Sequence, residues 1–216
     1  MKKIFMTIPC LAGALTVFSA MAVEVKPFIG GNLAINGVVY SDEVEEIFDD
    51  IGVDLPGGFF GLGIEAGVRF LTDDIYNASV ALAYDYAFDS EADVNSVTKD
   101  YISSIDTGFS AISATFDNYI RVSGDAKQRQ DVVLGIGLGR ATERIKMKAT
   151  TLGKANGLYN INEDDDGSVV VLKIGYNNQI SERADWYLNG RWFIPTVSDS
   201  DVEVMFNLGA GIKFVF

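Results

Sequence analysis

The side chains able to do chemistry in this chain are carboxylates, hydroxyls and cations, because its 216 residues include no histidine and a single cysteine, Cys10. Serine without a neighbouring base is not an activated nucleophile, and histidine is the usual base of acyl transfer. Zinc loses its two commonest side-chain ligands together. The acidic residues, 30 against 17 basic ones, therefore dominate. Asn162, Asp164 and Asp166, followed by Gly167, have the alternating oxygen donors that open a calcium loop. Lys173 stands where the closing bidentate glutamate belongs, so no metal centre is expected, only loose attraction of divalent ions. A second acidic cluster holds Asp42, Glu43, Glu45, Glu46, Asp49, Asp50 and Asp54 without a basic residue. Within it Val44, Ile47, Phe48 and Ile51 recur at helical spacing, Asp42 and Glu45 could form a capping box, and Gly52 could end the helix. That apolar stripe either plugs the structure beneath it or forms an adhesive patch for another protein. Neither cluster is catalytic, and neither an enzyme nor a cofactor is expected.

The elements that position these residues are read from alternation. From Val202 to Phe216 every second residue is apolar: Val202, Val204, Phe206, Leu208, Ala210, Ile212, Phe214 and Phe216. Glu203, Asn207 and Lys213 fall on the other set. Period two is a β-strand with two different faces. Its length exceeds that of ordinary soluble strands and suits a tilted membrane crossing. Seven earlier stretches alternate in the same way, over 24–37, 59–70, 75–88, 109–122, 131–143, 169–179 and 186–194. In the second of these, Phe60, Leu62, Ile64, Ala66, Val68 and Phe70 oppose Gly61, Gly63, Glu65, Gly67 and Arg69. The connections alternate long and short, and the last, 195–201, is of medium length. Aromatic residues mark both strand ends, Phe70, Tyr76, Trp186 and Phe216 at the short links and Phe60, Tyr84, Tyr86, Phe88 and Phe206 at the long ones. The expected fold is all-β: an eight-stranded antiparallel up-and-down transmembrane β-barrel with long extracellular loops and short periplasmic turns.

The first 22 residues read as a signal peptide, with Lys2 and Lys3 ahead of an apolar run and Ala20-Met21-Ala22 as the cleavage site. Cys10 is expected to leave with it, and residues 23–216 to form the barrel domain. Loss of Lys2 and Lys3 takes the formal charge from −13 to −15, which argues against nucleic acid as a partner. An apolar fraction of 48% in so acidic a chain needs exposed apolar surface in one place and charge in another.

The leader, the eight alternating strands, the short and long links and the final Gly-Ala-Gly-Ile-Lys-Phe-Val-Phe together resemble the small bacterial outer-membrane β-barrel superfamily, which includes opacity-like proteins and the transmembrane domain of OmpA. The resemblance implies residence in the outer membrane of a Gram-negative cell. It also implies contact with outer-membrane lipid and lipopolysaccharide, and assembly through a C-terminal signal, here Ala210, Ile212, Phe214 and Phe216. The enzymes of this size class that it brings to mind rely on a histidine that this chain lacks. The expected role is envelope structure or adhesion through the acidic loops, by a monomer with an extracellular ligand. The alternative is a narrow, low-conductance channel for ions or small solutes.

Eight strands enclose a space that side chains fill. The inward polar set expected there is Glu65, Arg69, Asp85, Asp117, Arg121, Lys173, Arg191, Glu203, Asn207 and Lys213. Glu65, Asp117, Lys173, Arg191 and Asn207 should share the middle level, where acids and bases neutralise each other. Inward glycines would make room for the longer side chains.

Overall fold

The structure, a computed structural model, describes residues 24–72, 75–124, 128–197 and 201–216. The leader and the tips of three connections lie outside the described residues, and with them Asp73, Asp74 and Asp125 of the short turns. Eight long strands follow one another: β1 (Glu24–Tyr40), β2 (Gly58–Leu71), β3 (Tyr76–Ala87), β4 (Ile102–Ser123), β5 (Gln130–Ala149), β6 (Ile161–Ser181), β7 (Ala184–Pro195) and β8 (Val202–Val215). Each pairs antiparallel with its neighbours in sequence, and β8 pairs with β1 to close the ring. Along this seam Gly31 faces Ile212, Leu33 faces Ala210 and Asn36 faces Asn207. At the level of the apolar belt, closure leaves no sheet edge among the described strands with unpaired backbone groups, which is the condition for crossing a bilayer with strands.

Alternation sorts the two faces as the pattern demands. Leu33, Phe60, Leu82 and Leu138 point outward and are 73, 77, 63 and 61% exposed, values that make an apolar belt and not a hydrated surface. Tyr76 and Phe216 border the belt at the short-turn side and Phe88 at the other. The belt stops where outward positions become polar, at Ser110 on β4, Arg140 on β5 and Ser168 on β6.

Three strands run on past that level. β4 begins at 102, not 109; β5 continues to 149, not 143; and β6 begins at 161, not 169. Their ladder is unbroken from Arg140–Ser168 to Met147–Ile161. Alternation fades there because neither face meets lipid, while the backbone pairing persists without it. The segment from Asn162 to Gly167, expected to be a loop, is therefore strand.

The connections fold onto this extension. Helix α1 (Asp42–Asp50) follows β1, and α2 (Thr151–Ala155) caps the β5–β6 link, with the Thr150 hydroxyl accepting from Gly153 N–H at 3.0 Å. Ser41, not Asp42, is the N-cap of α1, and no side chain caps that helix, so the expected capping box is absent. A two-residue ladder joins Val53–Asp54 to Asp93–Val94. These pieces enclose a small core of Val53, Val94, Ile102 and Ile105, with Phe48 and Met147 packed against it.

Candidate functional site in the lumen and the cap

The middle of the lumen is a closed charge network. Glu65 of β2 meets Lys213 at 2.7 Å, Arg191 at 2.8 Å and Lys173 at 3.1 Å. Lys173 also donates to Asp117 at 2.7 Å, and Arg191 donates to both oxygens of Asp85 at 2.6 and 2.9 Å. Three carboxylates thus balance three cations, and every one of these side chains is at most 4% exposed. Strand register places them: Arg191 sits directly beside Lys173 and Asn207, on adjacent strands. Glycine makes the room. A Cβ on Gly63 would lie 2.6 Å from Asp85 Oδ1, and one on Gly135 would lie 2.3 Å from Asp117 Oδ1. Lys213 is further held 4.5 Å over the Phe28 ring. The free volume beside Glu65 and Lys213 is about 10 Å³, at the lower limit for one water.

Above this network the inward set turns apolar. Val38, Tyr40, Phe59, Phe109, Val171 and Phe193 are buried against one another, with Phe109 6.4 Å from Phe59 and 6.3 Å from Phe193 in edge-to-face contact. This plug was not anticipated. Its signal was present, since residues on both faces of these strands become apolar near their outer ends. Below the network Arg69 pairs with Asp185 at 2.7 Å, and Arg121 lines a periplasmic-side cavity of about 260 Å³ with Arg129 and Asp131. Asp185, which the sequence places in a turn, is buried.

Asn207 stands beside Arg191 in register and donates to Asn36 at 2.8 Å. One of the expected lumen placements changes. Glu203 does not enter the lumen: the β1–β8 register shifts between Val39 and Tyr40, so Tyr40 pairs with Val202 and the alternation inverts. Val202 is buried in the plug and Glu203 is exposed. Asn162, Asp164 and Asp166 also differ from expectation. They are successive outward positions on extended β6, where alternate residues cannot wrap one ion, and Asp166 is engaged by Arg140 at 2.9 Å. Among the described residues no group of three acidic side chains can hold a metal ion.

The apolar stripe of α1 divides. Val44 packs on the plug and Phe48 on the small outer core, whereas Ile47 and Ile51 stay 61% and 44% exposed. Ala210, Ile212 and Phe214 face the belt, and Phe216 N–H donates to the Pro27 carbonyl at 2.9 Å. Outward on β5, just above the belt, stand Arg140, Arg144, Lys146 and Lys148. Arg144 lies 4.6 Å over Tyr86 and reaches Asp89 together with Lys146. Those two cations hold the Asp89 carboxyl below the usual range, against the opposing effect of its partial burial.

No protein-family profile and no curated protein matches this chain. Solved structures do. OprG, an outer-membrane protein of Pseudomonas aeruginosa, superposes with a TM-score of 0.54 at 11% identity, over 91% of this chain and 98% of that one. Ail, the attachment invasion locus protein of Yersinia pestis, gives 0.52 at 14% identity, over 89% of this chain and 99% of that one. A structure of Ail with the heparin analogue sucrose octasulfate gives 0.50 at 16% identity, over the same shares. The chain has the fold of the small outer-membrane β-barrels, and its apolar belt is the surface such a fold turns to lipid.

Proposed function

We propose that this protein is an exported surface protein of the bacterial outer membrane, a closed eight-stranded anchor that presents a folded acidic cap to the outside. The observation that carries this reading is the double closure of the lumen, by the Glu65–Arg191–Lys173 network and by the Phe109–Phe193 plug above it. A conduit would need a continuous polar path, and an ion crossing the plug would lose its hydration to apolar side chains. The extension of β4–β6 with α1 supplies the alternative, a rigid platform holding exposed Ile47 and Ile51 among carboxylates. Lipid A phosphates are the fitting contact for the outward cations of β5 at the belt's upper edge. The C-terminal strand, from Ala210 to Phe216, is the segment offered to the assembly machinery, and a monomer suffices because the ring closes on itself. Nothing in this reading uses bond-making chemistry.

The test is paired. Purified protein in planar bilayers should give no sustained single-channel steps, and cells producing it should bind extracellular surfaces better than cells without it. Steps abolished by lumen substitutions would instead establish the low-conductance channel.

A further inference from the structure

At the end of the barrel away from the cap, the lumen widens into the cavity of about 260 Å³ that Arg121, Arg129 and Asp131 line. Thr72 and Glu182, both at short turns, border it, so it faces the periplasm. Arg69, Asn177 and Asp185 belong to its wall and are 6, 1 and 2% exposed. Arg69 Nη1 and Asn177 Nδ2 donate to the same oxygen of Asp185, at 2.7 and 3.1 Å, which holds the two side chains together. Both keep hydrogen-bonding capacity unspent. Among the described residues Arg69 Nε and Nη2 reach no acceptor, and Asn177 Oδ1 meets no donor. Native interiors rarely leave such groups unmatched. The Arg69 guanidinium lies 4.6 Å over the Tyr119 ring, which occupies its flat face and leaves hydrogen bonds to its edge.

Charge of both signs surrounds the same space. Arg129 grips Asp131 through Nε at 2.8 and 3.1 Å, and Lys26 stands 3.3 Å from Glu24 at the rim. Burial holds the Arg129 guanidinium below its usual range; Asp131 opposes this, and the charges of Arg121 and Arg69 add to it. Glu182 stands exposed at the mouth. A simple anion entering here would meet Asp131, Asp185 and Glu182, and a simple cation would meet the three arginines. A small molecule with both charges on adjacent groups satisfies each side. Its carboxylate takes the unspent Arg69 N–H groups, and its ammonium donates to Asn177 Oδ1. The cavity falls short of the roughly 300 Å³ at which pockets for drug-sized ligands begin, which suits a molecule of amino-acid size. We propose that this cavity binds a free α-amino acid from the periplasm, with Arg69 donating to its carboxylate, Asn177 accepting from its ammonium, and Glu182 drawing the ammonium at the mouth. The site lies at the opposite end from the cap and does not depend on the surface-binding reading.

The test follows the Asn177 side-chain amide by nuclear magnetic resonance in full-length protein in phosphatidylcholine nanodiscs, which leave both barrel ends accessible. Alanine is titrated against N-acetylalanine, which lacks the ammonium, alaninamide, which lacks the carboxylate, and inorganic phosphate. Alanine should shift the signal saturably and bind about tenfold or more tightly than either derivative, since each forfeits a charge-assisted contact. Arg69→Lys keeps a charge opposite Asp185 but loses the extra N–H groups, and should weaken alanine about tenfold. Glu182→Gln, exposed and outside the buried pairs, tests the site even where Arg69→Lys fails to fold. It should weaken alanine about two- to fivefold and leave N-acetylalanine unchanged. Glu163→Gln, on the cap, should change neither. Equal binding of alanine and N-acetylalanine overturns the proposal in favour of a carboxylate site, and equal binding of alaninamide overturns it in favour of a cation site. Tighter binding of phosphate overturns it in favour of an inorganic oxyanion. Equal weakening by Glu182→Gln and Glu163→Gln overturns it in favour of general charge attraction. The absence of a saturable shift with alanine overturns it outright.

Discussion

Arg191 of β7 holds Asp85 of β3 by two hydrogen bonds of 2.6 and 2.9 Å across the width of the barrel, between residues 106 positions apart in sequence. Both bonds come from Nη1, and Nη2 reaches Glu65 at 2.8 Å, so one guanidinium bridges two carboxylates. The barrel is thus cross-braced through its centre as well as laced around its wall.

Asp85→Ala should therefore destabilise the barrel by about 3–5 kcal/mol, the cost of leaving the buried network with one uncompensated positive charge. Urea unfolding in detergent micelles measures it. Combining Asp85→Ala with Arg191→Met should recover most of the loss, since an apolar replacement removes both desolvated charges. If the double substitution is as damaging as the sum of the single ones, the two residues do not act as a pair.

Closure in two layers makes conductance a property of both. Phe109→Ala with Phe193→Ala should cost stability, about 3–5 kcal/mol for each large aromatic removed, without opening the lumen. Steps in planar bilayers should require Arg191→Ala in addition. Steps from the phenylalanine substitutions alone would mean that the charge network is permeable.

The cap should respond to pH through Glu143. It lies three residues beyond Arg140, above the belt, in register with Asp165 and buried beside Tyr40. Burial pushes its carboxyl up to about 7, with Asp165 and Asp201 adding to the effect and a hydrogen bond to Tyr40 opposing it. The folded pKa is raised above the ordinary 4.5. The protonated form thus stabilises the fold fully below about 4.5, and that contribution, on the order of 3 kcal/mol, is lost as pH rises through 7. Thermal midpoints should fall between about pH 5 and pH 8, and Glu143→Gln should flatten that slope. An unchanged slope in the glutamine variant would remove Glu143 as its source.

Deletion of Phe216 takes away an exposed aromatic and the backbone bond to Pro27. Assembly into the outer membrane should drop more than surface binding per folded molecule. The heat-modifiable fraction in detergent gels reports the first, and binding by refolded protein the second. Normal assembly of the shortened chain would take the C-terminal signal out of this strand.

Much of the wall was legible because lipid enforces period two. The outward faces of β2 and β8, from Phe60 to Phe70 and from Val204 to Phe216, follow alternation alone. The same rule misplaced Val202 and Glu203, because a register shift between Val39 and Tyr40 inverts the two faces and leaves no mark in composition. The extensions of β4, β5 and β6 were hidden for a related reason. Outside the belt neither face is lipid, so Asp164 and Asp166 can sit in a hydrogen-bonded strand while reading as a loop. For α1 the helical period of Val44, Ile47, Phe48 and Ile51 was visible, but not which half of it would be covered.

By itself, then, the amino-acid sequence determined the number of long strands, most of the face turned to lipid and most of the charges turned inward, Val202, Glu203 and Asp185 excepted, since each follows from a local period or from composition. Only the tertiary structure decided that Glu65 is shared by Lys173, Arg191 and Lys213, that an apolar plug closes the lumen above them, and that Asp54 stands against Asp93 on the cap. Those relationships join residues on different strands and loops, and their distances depend on closure and register around the whole ring.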